Sequence, residues 1–200
     1  MLRSCLVCSL LLLAAASARA GEFNEVLSVG DPAPAWTDLP GVDDKPHSLS
    51  DHAENKVVVV VFTCNSCPVA RDYEDRTIEL AKRHAKDVDV VAINCNRGEE
   101  DSLDKMRERA KEKKYPQQYL FDESQRIARE FGATRTPEFF VLSRDRKVVY
   151  MGAMDDSGDA AKVTVDYVEA AVQAALAGRA PAKAETFANG CRIRFVRERK

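Results

Sequence analysis

Histidine is scarce in this 200-residue chain: only His47, His52 and His84 are present, and none sits at the spacing of a metal-ligand cluster. A metal centre built on cysteine would therefore lack its second set of ligands, and no metal site is expected. An excess of basic residues is missing too. Thirty Lys and Arg face 32 Asp and Glu, a formal charge of −2, which leaves no basic stripe for nucleic acid. Long apolar runs are also wanting. Leu6 to Ala16 is shorter than the ~20 residues that a membrane span takes, and the Ala-rich stretch from Asp159 to Ala177 reads as core packing.

What the N-terminus does have is the grammar of a secretory signal in residues 1–20. Arg3 is the positive start, Leu6 to Ala16 the apolar centre and Ala18-Arg19-Ala20 a cleavage site. An uncleaved anchor is the bland alternative. A lipoprotein signal at Cys8 is rejected, because almost no apolar region precedes it. Cleavage after Ala20 would remove Arg3 and Arg19, taking the basic count from 30 to 28 and the formal charge from −2 to −4. It would also remove Cys5 and Cys8, leaving Cys64, Cys67, Cys95 and Cys191 in an exported, periplasmic or otherwise extracytoplasmic protein. Four cysteines are too few to build a disulfide scaffold of this size, so their positions matter more than their number.

The remaining chain, 21–200, reads as one domain. Residues 29–50, rich in Pro, Gly and Asp, form an N-terminal extension in which Trp36 packs on the core. The β-branched run Val57 to Phe62 is expected to be a strand buried on both faces, and Pro68 to Lys86 a helix. "VDVVAIN" makes a second buried strand, and the charged stretch Glu99 to Lys114 a solvated helix. After the short extended piece "QYLFD", Glu123 to Phe131 forms a helix ended by Gly132. "EFFVLSRDRKVVYMG" forms two antiparallel strands, Asp159 to Ala177 a helix and "CRIRFVRE" a final strand. This order is an α/β layout, a central mixed β-sheet flanked by helices.

The pair Cys64 and Cys67 lies where the first buried strand meets a helix. A thiol at a helix N-terminus is stabilised as thiolate by unpaired N–H groups and the dipole. Cys67, one turn later, is placed to attack a mixed disulfide formed on Cys64, and Pro68 fits the first helical turn. So short a loop gives little structural staple, and the spacing favours a pair cycling between dithiol and disulfide. Thr136-Pro137, at the entrance of another strand, is a candidate cis peptide whose flanking backbone could pair with a substrate. An ordinary trans proline at a strand start is the alternative.

These pieces together resemble the thioredoxin superfamily, and more narrowly its redoxin branch of TlpA-like and peroxiredoxin-like proteins. "VGDPAPAWTDLPGVDDKPHSLSDH" is similar to that branch's lead-in, "VVVVVFTCNSCPVA" to its strand and active-site turn, and "ATRTPEFFVL" to its cis-proline strand. The terminal "GCRIRF" is similar to the end of exported relatives with a C-N-x-C-P site. The resemblance implies a thioredoxin-like fold with an N-terminal redoxin-type extension. It implies Cys64 as exposed nucleophile, Cys67 as resolving thiol, and Thr136 and Pro137 as the substrate-binding edge. No diffusible cofactor is implied. The partners would be protein or small-molecule disulfides and thiols, together with a redox partner, and no stable membrane insertion follows signal cleavage. Asn65-Ser66 replaces the Gly-Pro of thioredoxins, and Arg135 stands where many relatives have Cys.

Two rival functions belong to other chemistry. A peroxiredoxin-like peroxidase would want a threonine three residues before its peroxidatic cysteine; here Cys64 stands three before Cys67. A Sco-like copper protein would want three residues between its cysteines and a distal histidine; here two residues separate Cys64 from Cys67, and no histidine lies in the late loops. Glu138 is a candidate proton acceptor beside Cys67, and Asp155-Asp156 an acidic patch or, more simply, a solvated turn. Cys95 ends a strand on the side of the sheet that carries the active-site turn, and Cys191 opens a terminal segment that needs tying down. With Cys64 and Cys67 already paired, a structural Cys95–Cys191 bridge is one reading of the two cysteines left over; two unrelated cysteines, one buried beside a strand and one partly exposed, is the alternative.

Overall fold

The computed structural model describes residues 21–197, so the signal-like segment 1–20 lies outside the described residues. The strands are β1 (Leu39–Pro40), β2 (Pro46–His47), β3 (Val57–Thr63), β4 (Val88–Asn94), β5 (Gln118–Phe121), β6 (Arg135–Thr136), β7 (Glu138–Leu142), β8 (Val148–Gly152) and β9 (Cys191–Arg192). The helices are α1 (Pro68–Asp72), α2 (Glu74–His84), α3 (Leu103–Lys113), α4 (Arg126–Glu130) and α5 (Tyr167–Leu176).

The main sheet has the order β5-β4-β3-β7-β8. The β3–β4 and β4–β5 pairs are parallel, and β3–β7 and β7–β8 antiparallel. β3 is therefore central, and its unbroken valine run has a plain cause. Val57, Val59 and Val61 face one apolar layer with Leu80, Val168 and Val172. Val58, Val60 and Phe62 face another with Trp36, Ile127 and Phe131. Side chains alternate along a strand, so a strand covered on both sides must be apolar at every position. Each such side chain contributes about 1.5–3 kcal/mol of burial free energy. Helices α2, α3 and α5 thus cover one face; α4, the N-terminal extension and the C-terminal segment cover the other.

Several helices are shorter than their sequence patterns suggest. The expected helix from Pro68 breaks at Tyr73, which ends α1 and caps α2 while its hydroxyl donates to Asp155. Asp155 is buried and ion-paired with Arg76, so half of the presumed solvated turn is a structural ion pair. The expected helix at Asp159 begins only at Tyr167. Before it, Asp156 accepts from the Thr164 amide, and Asp166 caps the helix by accepting from Glu169 N. The stretch Val163-Thr164-Val165 stays outside any helix, a conformation that β-branched residues disfavour. The terminal strand is two residues long rather than eight.

Candidate active site

Chain direction builds the site. β3 ends at Thr63, so Cys64 emerges at the C-terminal edge of the central strand, followed by the turn Asn65-Ser66. Cys67 is the N-cap of α1, its sulfur accepting the Ala70 amide at 3.3 Å, and Pro68 occupies the first helical position. The helix N-terminus therefore acts on Cys67 rather than on Cys64, three residues away from where the sequence pattern sets it. Facing the turn is β6 and the Thr136-Pro137 peptide, which is cis. Thr136 meets both cysteines. Its hydroxyl lies 3.3 Å from Cys64 Sγ, and its carbonyl oxygen 3.2 Å from Cys67 Sγ.

Cys64 is 2% exposed, so the expected exposed nucleophile is in fact covered. Burial pushes its thiol above the ordinary range. The Thr136 hydroxyl pulls back down, and the negative charge of Asp101 pushes up again. In this state Cys64 is a protonated thiol at neutral pH.

Asp101 was hidden in a charge run that reads as a solvated helix, yet it is 1% exposed. Its Oδ1 accepts from the amides of Asn65 at 2.8 Å and Ser66 at 3.2 Å, and from Asn94 Nδ2 at 3.2 Å. Oδ2 accepts from Ser66 Oγ at 2.6 Å. A buried carboxylate without a cation is tolerable only when hydrogen-bonded in this way. Asn65 is held in turn by the buried Tyr119 hydroxyl, 2.9 Å from its Oδ1, and by donating to the Glu100 carbonyl. The two residues between the cysteines are thus fixed by side chains from outside the turn. One signal for this was available: Ser102 caps α3, which leaves Asp101 before the helix and not on its surface.

Cys191 corrects the expected bridge. β9 pairs antiparallel with β6, setting Cys191 opposite Thr136 and Arg192 opposite Arg135. That register brings Cys191 to Cys67, with which it forms a disulfide across a Cα–Cα distance of 6.0 Å. Cys95 is instead a free, fully buried thiol in the core layer that holds Leu120 and Ile127. Burial, reinforced by Asp122, raises its pKa far above the ordinary range. The pairing of Cys64 with Cys67 is likewise absent from this state: Cys64 is free.

The edge of β6, expected to receive substrate, is occupied by the chain's own C-terminus. Gly190 is required there, since a Cβ at this position would lie 2.2 Å from the Thr136 carbonyl oxygen. Glu138 does not serve Cys67. Its buried carboxylate accepts from the Thr134 and Arg135 amides, at 2.8 and 3.0 Å, and fixes the loop before Pro137. The histidines are dispersed, His47 on Asp43, His52 on Asp89 and His84 on Glu169. Among the described residues no group of three or more His, Cys, Asp or Glu gathers as for a metal.

Comparison with known proteins places this arrangement in context. The Redoxin family model matches residues 28–171. The crystal structure of an uncharacterized conserved protein from Geobacillus kaustophilus is 33% identical, covering 88% of this chain and 96% of that one at a TM-score of 0.81. A hypothetical protein from Sinorhizobium meliloti 1021 is 30% identical over 86% of this chain and 97% of its own, at 0.80. A Chlorobium tepidum protein assigned as the thiol:disulfide interchange protein DsbE is 26% identical over 62% of this chain and 84% of its own, at 0.52. No curated protein matches the chain.

Proposed function

The chain belongs to the redoxin family of thioredoxin-like proteins, and within it we propose an exported thiol–disulfide oxidoreductase that works through Cys64 and Cys67. The observation that carries this reading is the convergence of both sulfurs on Thr136, one on its hydroxyl and one on its carbonyl. A turn that brings two cysteine sulfurs to one residue suits exchange between them. A purely structural cysteine needs no such partner.

In the fully reduced protein, Cys64 thiolate attacks one sulfur of a substrate disulfide and expels the other as a thiolate. Cys67 thiolate then attacks Cys64 Sγ, forming the Cys64–Cys67 bond and releasing the second substrate thiol. Two electrons pass from the protein dithiol to the substrate. The Thr136 hydroxyl is placed to donate to Cys64 as its negative charge develops. Substrates are protein or small-molecule disulfides. The signal-like N-terminus supports work outside the cytoplasm, where such disulfides persist. Among the described residues no helix is long and apolar enough to cross a membrane.

The test is turnover of a protein disulfide with a thiol reductant. Cys64→Ser should abolish it, and Cys67→Ser should accumulate mixed disulfides on Cys64. A Cys64→Ser protein that turns over at the wild-type rate would overturn the reading. Thiol-dependent consumption of hydrogen peroxide in place of disulfide reduction would favour a peroxidase instead.

A further inference from the structure

Three sulfurs, not two, gather at the site. Cys64, Cys67 and Ala70 form a small buried cluster, with Cys191 packed against it. Cys191 is already joined to Cys67, so the folded backbone accommodates that bond without moving the β6–β9 ladder.

The simplest account of this bond is a staple for the C-terminus, and the surroundings argue against it. The segment is held by other means. Ile193 N donates to the Thr134 carbonyl at 2.9 Å, Val196 N to Gln125 Oε1 at 2.8 Å, and Gln125 Nε2 to the Arg194 carbonyl at 3.0 Å. Ile193 is buried in the core and Phe195 packs beside it. Arg129 covers the Phe195 ring and donates to the Val196 carbonyl. A strand anchored by these contacts carries its cysteine to Cys67 whether or not the bond exists.

Exposure gives the second argument. Cys64 and Cys67 are 2% and 3% exposed, whereas Cys191 is only partly buried. Thiol exchange needs an attacking sulfur to reach the bond in line, so an external reductant meets Cys191 first.

We propose that Cys191 is a third redox-active thiol, which takes over Cys67 from Cys64 and serves as the entry point for the reductant that resets the protein. This relay rests on the reading of Cys64 as nucleophile. After substrate reduction, Cys191 thiolate attacks Cys67 Sγ in the Cys64–Cys67 disulfide. The Sγ–Sγ bond between Cys64 and Cys67 breaks, the Cys67–Cys191 bond forms, and Cys64 leaves as a thiolate that takes up a proton. The oxidation level of the protein is unchanged. An external dithiol then attacks Cys191 Sγ and Cys67 departs as a thiolate. The second thiol of that reductant attacks the mixed disulfide, frees Cys191 and leaves the reductant oxidised by two electrons.

The experiment follows the bonds directly. The full chain, reduced and freed of reductant, receives one equivalent of an aromatic disulfide. Samples are quenched in acid at intervals, alkylated and mapped as peptides without reduction. In the wild type, a Cys64–Cys67 link should appear first and give way to Cys67–Cys191 with Cys64 alkylated. In Cys191→Ser and Cys191→Ala the first link should persist, and its reduction by dithiothreitol should slow.

A wild type that ends at Cys64–Cys67 with Cys191 alkylated would overturn the relay and leave the Cys64–Cys67 reading standing. Variants reduced by dithiothreitol as fast as the wild type would also overturn it. A Cys64→Ser protein that reacts with the aromatic disulfide like the wild type would instead overturn the nucleophile assignment. The wild-type time course needs no substitution, so misfolding of a variant does not decide the result.

Discussion

The Asp101 carboxylate lies 2.6 Å from the Ser66 hydroxyl, inside the turn that separates Cys64 from Cys67. It also takes the Asn65 and Ser66 amides, so one buried side chain both shapes the turn and sets a negative charge near the Cys64 sulfur.

Removing that side chain should have two separable effects. Asp101→Ala leaves buried donors unpaired and should cost about 1–3 kcal/mol of stability, read by urea unfolding. Asp101→Asn keeps most of the shape and removes the charge. Because the charge of Asp101 raises the Cys64 pKa, its loss should move the midpoint of Cys64 alkylation against pH downward. An unchanged midpoint in Asp101→Asn would separate Asp101 from the thiol's chemistry.

Cys95 should make the protein sensitive to alkali. Its folded-state pKa is raised by burial, while the unfolded chain releases the proton at about 8.5. The folded state then holds a proton that the unfolded state has lost. The stabilisation is complete below the unfolded thiol's pKa and is lost progressively as pH rises from there towards the raised folded-state pKa, with a slope approaching about 1.4 kcal/mol per pH unit. Cys95→Ala should flatten the fall in stability on the alkaline side, although Cys64, also raised, keeps part of it. Equal alkaline slopes for the two proteins would count against this assignment.

The sheet and its two covered faces were legible because alternation and length leave a run such as Val57 to Phe62 few other places to go. The strand-to-turn position of Cys64 and Cys67 followed from the same pattern. Helix starts were less legible. A cap such as Asp166 competes with apolar periodicity that continues on both sides of it, and only tertiary contacts choose between them. The partner of Cys191 was illegible for a different reason. Counting cysteines assumes that Cys64 and Cys67 bond each other, whereas pairing depends on a two-residue ladder between segments 55 positions apart, Arg135-Thr136 with Cys191-Arg192. Asp101 escaped because a buried carboxylate inside a charged run has the same composition as an exposed one.

Gly190→Ala tests how tightly β9 sits on the site. The added methyl carbon would meet the Thr136 carbonyl oxygen at 2.2 Å, and backbone cannot give way as a side-chain tip can. The strand should shift off β6 at a cost of about 1–3 kcal/mol. After reduction, Cys191 in this variant should alkylate faster than in the wild type. If its rate stays at the wild-type level, Gly190 is not what seats the strand.

What holds the C-terminal segment can be read residue by residue with hydrogen exchange. Gln125 is 1% exposed and ties three groups together: it donates to the Cys95 and Arg194 carbonyls and accepts from Val196 N. Gln125→Ala strands these groups, a loss of about 1–3 kcal/mol, and should release the Val196 amide to exchange. Ile193 N, bonded to the Thr134 carbonyl, should lose protection to a smaller degree because Ile193 remains packed in the core. Cys191→Ser removes the disulfide but none of these contacts, so both amides should stay protected. The reverse pattern, protection lost in Cys191→Ser and kept in Gln125→Ala, would make the disulfide the anchor and Cys191 a structural residue.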